Sequence, residues 1–236
     1  MDIRGFFKEN AVIDISDLMS FYQHKDQYVN PTTINWRIYT LVQKGVLHRI
    51  GRGKFVFGEA KKFIPEVSNV TKSIFNKLKL EFPVTNFCVW NTSVLNELMH
   101  HQSGNYFTLV ETEREAAQSA FYYLREISDS VFIEPTRQIL ERYAFRKNNS
   151  IVIKTLTSES PTHDIDYVQS PTLEKILVDI FCDDVIFYAQ QETEKRIIFR
   201  EAFAKYTINQ SKLMRYAARR GKSSDLKQYM IEANKI

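Results

Sequence analysis

The sequence predicts an α+β protein in which a small unit of helices and a hairpin precedes a mixed α/β domain with a helical end. In the first sixty residues, helical spacing of apolar residues gives way to two short apolar runs around a Gly-Arg-Gly-Lys turn. Further along, strands alternate with helices, and the chain is predicted to be helical from Thr172 nearly to its end. With 44% hydrophobic residues, a chain of 236 residues can form the cores of two small domains.

Three helices are predicted before the hairpin. The first covers Ile3 to Lys8, and the second follows the capping side chains of Asp14 to Asp17. The third starts at Asn30 as N-cap and Pro31 as first helical residue, and it ends at Gly45. Its apolar residues fall on one stripe with helical spacing: Ile34, Ile38, Leu41 and Val42.

The hairpin consists of Val46 to Ile50 and Phe55 to Phe57, and it is unusually cationic. A hairpin can turn on Gly and Asn alone, so the positive charges of Arg49, Arg52 and Lys54 indicate a partner outside the hairpin. Three helices and a two-stranded hairpin within sixty residues are the plan of a winged helix-turn-helix. We therefore assign residues 1–60 to a winged helix-turn-helix DNA-binding domain.

The remainder is divided into a helical linker, 61–83, and an α/β domain, 84–236. Two helices are predicted in the middle of the chain, at Thr92 to Met99 and Thr112 to Ile127, and a further one starts at Pro171 with Ser170 as N-cap. The predicted strands are Asn86 to Trp90, Tyr106 to Val110, Val131 to Ile133 and Ile151 to Ile153.

Positive charge is clustered in two blocks. Residues 31–62 hold seven Lys and Arg against one Glu, a net +6, and residues 195–227 hold ten against two acids, a net +8. Clusters of this kind are typical of a surface that meets an anionic partner. Solvated helix faces are the alternative for the second block.

Double-stranded DNA is the predicted partner of the first block. The face of the third helix opposite its apolar stripe would reach base edges in the major groove, and the wing would contact the backbone. Trp36 in the middle of this face would either stack on sugar or pack on another segment, and packing is favoured. The predicted DNA-binding residues are Thr32, Thr33, Asn35, Trp36, Arg37, Thr40, Lys44, Arg49, Arg52 and Lys54.

No catalytic site, metal or cofactor is predicted. The motifs of nucleotide, serine-hydrolase and zinc-protease sites are all missing. Asp164 and Asp166, two residues apart after His163, could share one side of a strand and hold Mg²⁺, with Glu174 and Lys175 nearby. That metal-dependent nuclease is the weakest alternative, because Glu174 and Lys175 are adjacent on a helix where such sites need Glu-x-Lys on a strand.

Cysteine usage and hydropathy indicate a cytoplasmic protein. The two cysteines, Cys88 and Cys182, lie far apart within apolar runs and are expected to be buried free thiols. The N-terminus has no uninterrupted apolar segment, and no stretch approaches the ~18 apolar residues of a membrane span. No membrane partner is therefore expected.

Three segments resemble one known family. TTINWRIYTLVQKGVLHRIGRGKFVFG (32–58) resembles the winged helix of AbiEi-type antitoxins, transcriptional regulators of type IV toxin–antitoxin, or abortive-infection, systems. SPTLEKILVDIF (170–181) and INQSKLMRYAARRGKSSDLKQYM (208–230) are similar to a helix start and to the closing segment of the same family. Lys175 stands where the family often has Arg, and the middle, about 60–165, carries no matching motif.

The resemblance implies a phage-defence antitoxin that represses its own operon and counteracts a co-encoded nucleotidyltransferase-like toxin, directly or indirectly. A second basic surface would serve the antitoxin activity or add DNA contacts, on one side of a helix that starts near Asn209. Its predicted residues on that side are Lys212, Arg215, Arg219 and Lys222, and Arg220 is included with them. The main alternative function is a winged-helix protein–protein adaptor that does not bind DNA.

Overall fold

The computed structural model describes residues 3–7, 12–51, 53–58, 61–101, 104, 106–144 and 149–233, with the backbone alone at 43, 232 and 233. The chain forms two compact units. The first contains residues 1–62 and 206–212, and the second contains residues 63–205 and 213–236. The first unit is therefore discontinuous in sequence.

The first unit contains three helices and a three-stranded antiparallel sheet of order β1-β3-β2. Asp14 caps α2 through a capping box with Asp17, which also accepts a hydrogen bond from the Asp14 backbone N–H at 2.9 Å. The elements are α1 (Ile3–Phe6), β1 (Ile13–Asp14), α2 (Ile15–Lys25), α3 (Pro31–Gln43), β2 (Leu47–Gly51) and β3 (Lys54–Phe57). The three helices and the hairpin follow the predicted order, with the predicted end of the first helix at Lys8 outside the described residues, whereas β1 was not predicted.

The core of the first unit is built from the apolar stripe of α3 and the inner faces of α2 and the sheet. Ile34 and Ile38 on α3 are buried, and Leu41 and Val42 pack against the same core while half-exposed. The other buried members are Ile3, Ile13, Leu18, Phe21, Val29, Leu47 and Phe55. Packing of this stripe directs the opposite face of α3 outward.

The second unit is built on a four-stranded mixed sheet of order β4-β5-β7-β6, in which β5, β7 and β6 are parallel and β4 is antiparallel to β5. The α-helices that precede β7 in the sequence of this unit are α4 (Asn69–Glu81), α5 (Arg114–Ile127) and α6 (Arg137–Ile139). The strands are β4 (Phe87–Asn91), β5 (Thr108–Thr112), β6 (Val131–Ile133) and β7 (Ile151–Thr155). A 3₁₀ helix at Thr92–Leu98 and a π-helix at Leu140–Ala144 complete this part.

A separate antiparallel hairpin and four helices form the rest of the chain. The hairpin consists of β8 (Thr162–Ile165) and β9 (Val168–Pro171). The helices are α7 (Leu173–Cys182), α8 (Thr193–Lys205), α9 (Gln210–Arg219) and α10 (Ser223–Ala233), with a 3₁₀ turn at Tyr188–Gln190. The α+β class predicted from the sequence is confirmed.

The predicted linker and the predicted helix start at Pro171 are among the segments that differ from the sequence prediction. The region expected as a linker, 61–83, contains α4, whose Ile74, Phe75 and Leu78 lie in the core of the second unit. The predicted helix start at Pro171 is wrong, because Pro171 closes β9 and Thr172 precedes the first helical residue of α7. Ser-Pro before an apolar run is compatible with the start of a helix and with the end of a strand. Here the hydrogen bonds between β9 and β8 place Ser170 and Pro171 in the strand.

The described residues bear on two further predictions, one about membrane spans and one about the two cysteines. Within the described ranges, no helix is both long enough and apolar enough to cross a bilayer. Both cysteines are free thiols; Cys88 is buried and Cys182 is half-buried. Burial, reinforced by Glu111, raises the pKa of Cys88 well above its usual value, so that thiol stays protonated and unreactive.

Candidate nucleic-acid interface

The start of α3 is fixed by local hydrogen bonds. The Asn30 side chain accepts a hydrogen bond from the Thr32 backbone N–H at 2.9 Å, and Pro31 occupies the first helical position. Thr32, Thr33 and Asn35 then lie exposed in the first turns. In a helix-turn-helix, this is the part of the helix that contacts base edges.

Two large aromatic side chains stand on the exposed face of α3. The side chain of Trp36 is 66% exposed and that of Tyr39 is 61% exposed. The expectation that Trp36 packs on another segment is therefore wrong. Thr40 is half-exposed, and its hydroxyl donates to the Trp36 carbonyl at 2.9 Å. The face thus presents aromatic rings among short polar side chains.

The cations of α3 occupy different environments. The Arg37 guanidinium lies over the Tyr22 ring, 5.2 Å from its centroid, which holds this half-buried side chain against α2. Burial raises the pKa of Tyr22, while the Arg37 charge acts in the opposite direction. Lys44, the C-cap of α3, is exposed. Both charges are placed to contact an anion beside the helix.

The wing is a short hairpin whose tip is held to the rest of the unit. Gly53 has φ +71°, a conformation that favours glycine, and its carbonyl accepts a hydrogen bond from the Ile15 backbone N–H at 2.7 Å. Arg49 is exposed and folds along the hairpin, where its Nε donates to the Gly51 carbonyl at 3.1 Å. Lys54 is exposed, and Arg52 lies outside the described residues.

Residues 206–212 return to the first unit beside the wing. The backbone N–H of Thr207 donates to the Lys61 carbonyl at 2.9 Å, and its hydroxyl accepts from the Lys61 N–H at 3.2 Å. A methyl group on Gly51 would lie 2.8 Å from the Ser211 hydroxyl oxygen. Sequence reasoning missed this arrangement, because Lys61 and Thr207 are 146 positions apart and their contact leaves no local signal.

One residue of the predicted second basic surface thereby belongs to the first unit. Lys212 lies in the first turn of α9, where its backbone N–H donates to the Asn209 side chain at 3.0 Å. Because Ser211 packs at Gly51, Lys212 lies in the segment that contacts the hairpin. Its side chain adds a cation to the same unit as Arg49 and Lys54.

The other four cations of that predicted surface do not form a single exposed stripe. Arg219 pairs with Glu159, and Lys222 pairs with Asp225 at 2.9 Å, while Arg215 is exposed. Lys222 lies beyond the end of α9, after Gly221 at φ +67°. Arg220 donates to Asp179 at 2.6 Å and is only 21% exposed, so its charge is directed into the protein.

Arg220 belongs to a buried ionic network in the second unit. Lys175, which is 0% exposed, donates to both carboxylate oxygens of Glu111 and to Asp179, each at 2.6 Å. Tyr216 donates to Asp179 at 2.8 Å, and the Trp90 indole donates to Glu111 at 3.1 Å. Each charge in the network has a partner of opposite sign, as buried charges require.

The electrostatics of this network keep Lys175 charged. Burial alone would lower the pKa of Lys175, but the carboxylates of Asp179 and Glu111 raise it well above its usual value. Burial raises the pKa of Tyr216 to about 12. A fully enclosed lysine whose pKa is raised in this way is poorly suited to act as a general base.

The geometry expected for a nuclease site is not present. Asp164 is exposed on β8, whereas Asp166 lies in the hairpin turn with φ +50° and pairs with Lys72 at 2.9 Å. The two carboxylates therefore do not share one face of a strand. Across the described part of the chain, no group of three or more His, Cys, Asp and Glu side chains is arranged to hold a metal ion.

The sequence matches the model of one protein family. A family model described as "Family of unknown function (DUF6577)" matches residues 33–236, from the first turn of α3 to the end of the chain. No curated protein matches the sequence.

Proposed function

We propose that this chain, which belongs to the DUF6577 family of unknown function, is a DNA-binding transcriptional regulator whose first unit binds duplex DNA. One observation carries the proposal: the polar and aromatic face of α3 and the exposed cations of the wing belong to one compact unit with the element order of a winged helix-turn-helix. The α3 helix would enter the major groove, and the wing would contact phosphates.

The DNA-binding unit in this proposal includes residues 206–212. Lys212 and the first turn of α9 would extend the phosphate contacts of Arg49, Arg52 and Lys54. The residues of α3 would divide into phosphate contacts from Arg37 and Lys44 and base contacts from the exposed face. Such a unit cannot be reproduced by a fragment that ends at residue 60.

The biological setting is proposed from the resemblance to AbiEi-type antitoxins. The protein would act in the cytoplasm, repress its own operon and counteract a nucleotidyltransferase-like toxin encoded beside it. Expressing that toxin with and without this chain tests the second activity: the chain should restore growth. Continued growth arrest when the chain and the toxin are expressed in equal amounts would reject the antitoxin function. DNA binding has a separate test.

DNA binding is tested by fluorescence anisotropy on the DNA upstream of its own gene and on a scrambled duplex, at two salt concentrations. A variant with Arg49, Arg52 and Lys54 changed to Ala should bind more weakly, and its slope of log affinity against log salt should be shallower by about 3. The matched control changes three exposed cations of the second unit, Lys77, Arg125 and Lys227, to Ala.

Both triple variants lose the same net charge, so only local phosphate contacts can separate them. The proposal holds if the wing variant alone loses affinity and salt dependence. Weak binding that ignores both the DNA sequence and the wing variant would reject it and favour the protein–protein adaptor. In that case, the exposed Trp36 and Tyr39 would be the first residues to test for a protein partner.

A further inference from the structure

A polar cleft of about 680 Å³ opens in the second unit among α6, the segment between α7 and α8, the start of α8, and α10. Its volume is in the range of sites for small ligands. Three cations line it, Arg137, Lys195 and Arg196, against two acids, Asp184 and Glu192. Arg137 also pairs with Glu141 at 2.8 Å, so the lining cations without a carboxylate partner among the described residues are Lys195 and Arg196, and these two favour an anionic occupant.

Lys195 places a half-buried ammonium at this cleft. Its Nζ donates to the Gln191 side chain at 3.0 Å and lies 5.3 Å from the Phe181 ring centroid and 5.6 Å from that of Tyr229. Among the residues that the structure describes, no carboxylate is within ion-pair distance of it. Burial lowers the pKa of Lys195, with Asp184 acting in the opposite direction. A ligand anion would offset this desolvation.

Tyr229 supplies an unsatisfied hydroxyl group at this cleft. Its ring packs between Phe181 and Phe199, at centroid distances of 5.4 and 5.1 Å. Its hydroxyl is buried and makes no hydrogen bond within the described part of the chain. Buried polar atoms are nearly always paired, so an unpaired one beside a cationic cleft indicates that an acceptor is supplied from outside.

Arg137, a third lining cation, is held in place by two contacts. Its guanidinium lies over the Tyr188 ring, 4.9 Å from the centroid, and its Nε donates to Glu141 at 2.8 Å. Stacking on the ring and the Glu141 contact fix the plane of the guanidinium. A guanidinium fixed in this way is suited to bind phosphate oxygens through its remaining N–H groups.

We propose that this cleft binds the phosphate monoester of a small phosphorylated molecule. Lys195, Arg196 and Arg137 would surround the phosphate, and the Tyr229 hydroxyl would donate to one of its oxygens. Because all of these residues belong to the second unit, the site does not rest on DNA binding by the first.

Isothermal titration calorimetry on the full chain at low ionic strength tests the site. The probes are adenosine 5′-monophosphate, glucose 6-phosphate and inorganic phosphate, with adenosine as the uncharged control. We expect dissociation constants below about 1 mM for at least one phosphate and no binding of adenosine. Preference for the nucleotide would assign a nucleoside ligand, and equal binding of both esters would assign recognition of the phosphate alone. If none of the three phosphates binds, the proposal is wrong.

Variants assign the binding to these residues. Lys195→Met should weaken binding about tenfold, and Lys227→Met, an exposed change on α10, should not. Arg196→Gln, also exposed, tests the same cluster should Lys195→Met fail to fold. Tyr229→Phe should weaken binding without lowering the melting temperature, because the hydroxyl makes no hydrogen bond to the described residues of the free protein. Unchanged affinity in the cleft variants, or a lower melting temperature of Tyr229→Phe with unchanged affinity, would overturn the assignment.

Discussion

The ammonium of Lys175 on α7 lies 2.6 Å from both carboxylate oxygens of Glu111 on β5, and neither side chain is more than 6% exposed. The pair joins a helix to the central sheet across 64 positions of sequence. Asp179, one turn further along α7, is the second carboxylate bound to Lys175, at 2.6 Å. Asp179 also accepts hydrogen bonds from Tyr216 and Arg220. This network links α7 and α9 to the sheet of the second unit.

Lys175→Met should lower the free energy of unfolding by about 3–5 kcal/mol, because it leaves two carboxylates buried with too little positive charge. Urea denaturation of the variant and the wild type measures the difference. The control is Lys72→Met, which breaks the exposed pair with Asp166 and should cost at most about 1 kcal/mol. Equal effects of the two changes would show that burial does not govern the energy of the Lys175 contacts.

Stability should fall between pH 10 and pH 12, in part through Tyr216. Its pKa is raised from 10.0 to about 12 in the folded protein, so at these pH values the folded state holds a proton that the unfolded state has lost. Its contribution is complete below pH 10 and disappears as pH approaches 12. Tyr216→Phe should make the decline shallower by about 1.4 kcal/mol per pH unit. Denaturation at a series of pH values measures both slopes, and identical slopes would contradict the prediction.

Trp36→Ala should separate binding from stability. The side chain is 66% exposed, so its removal should change the free energy of unfolding by no more than about 0.5 kcal/mol. The proposed base contacts of α3 should weaken at least about tenfold. Anisotropy and urea denaturation on the same preparation give both values. The control is Tyr28→Ala, which removes a 95% exposed aromatic side chain before α3 and should leave the affinity for DNA unchanged. A large loss of stability in Trp36→Ala would show that Trp36 is packed.

Gly51→Ala should destabilise the first unit, because the new methyl group would lie 2.8 Å from the Ser211 hydroxyl oxygen. We expect a loss of about 1 kcal/mol in the free energy of unfolding. Ser211→Ala in the same chain should restore part of it, since it removes the crowded oxygen. The double-mutant cycle by urea denaturation measures this coupling. Strict additivity of the two changes would mean that residues 206–212 do not pack at the wing.

Local signals account for the agreement between sequence and structure in the first unit. Asn30 and Pro31 set the start of α3, and the spacing of Ile34 and Ile38 selects its buried face. These features depend on neighbours within one or two helical turns, so they can be read without knowing the fold. The same spacing leaves open whether Trp36 is packed, because exposure depends on what the rest of the chain places there.

Pairing over long distances accounts for the disagreements. Residues 170–171 carry a helix-start pattern, yet β8 pairs with them and delays α7 to Leu173. The acids at 164 and 166 are two positions apart, yet the turn between β8 and β9 separates them. In both cases the hydrogen bonds of a partner strand outweigh a preference of one or two residues.

The sequence by itself determined the α+β class, the helices and hairpin of the first unit, and the cationic character of the wing, because caps, apolar periodicity and charge are local properties. Only the tertiary structure decided that residues 206–212 join that unit, that Arg220 is directed to Asp179, and that Glu111 meets Lys175. These contacts form between segments that are distant in sequence. The ionic contacts among them are selected by burial in the second unit, where an unpaired charge would be too costly to keep.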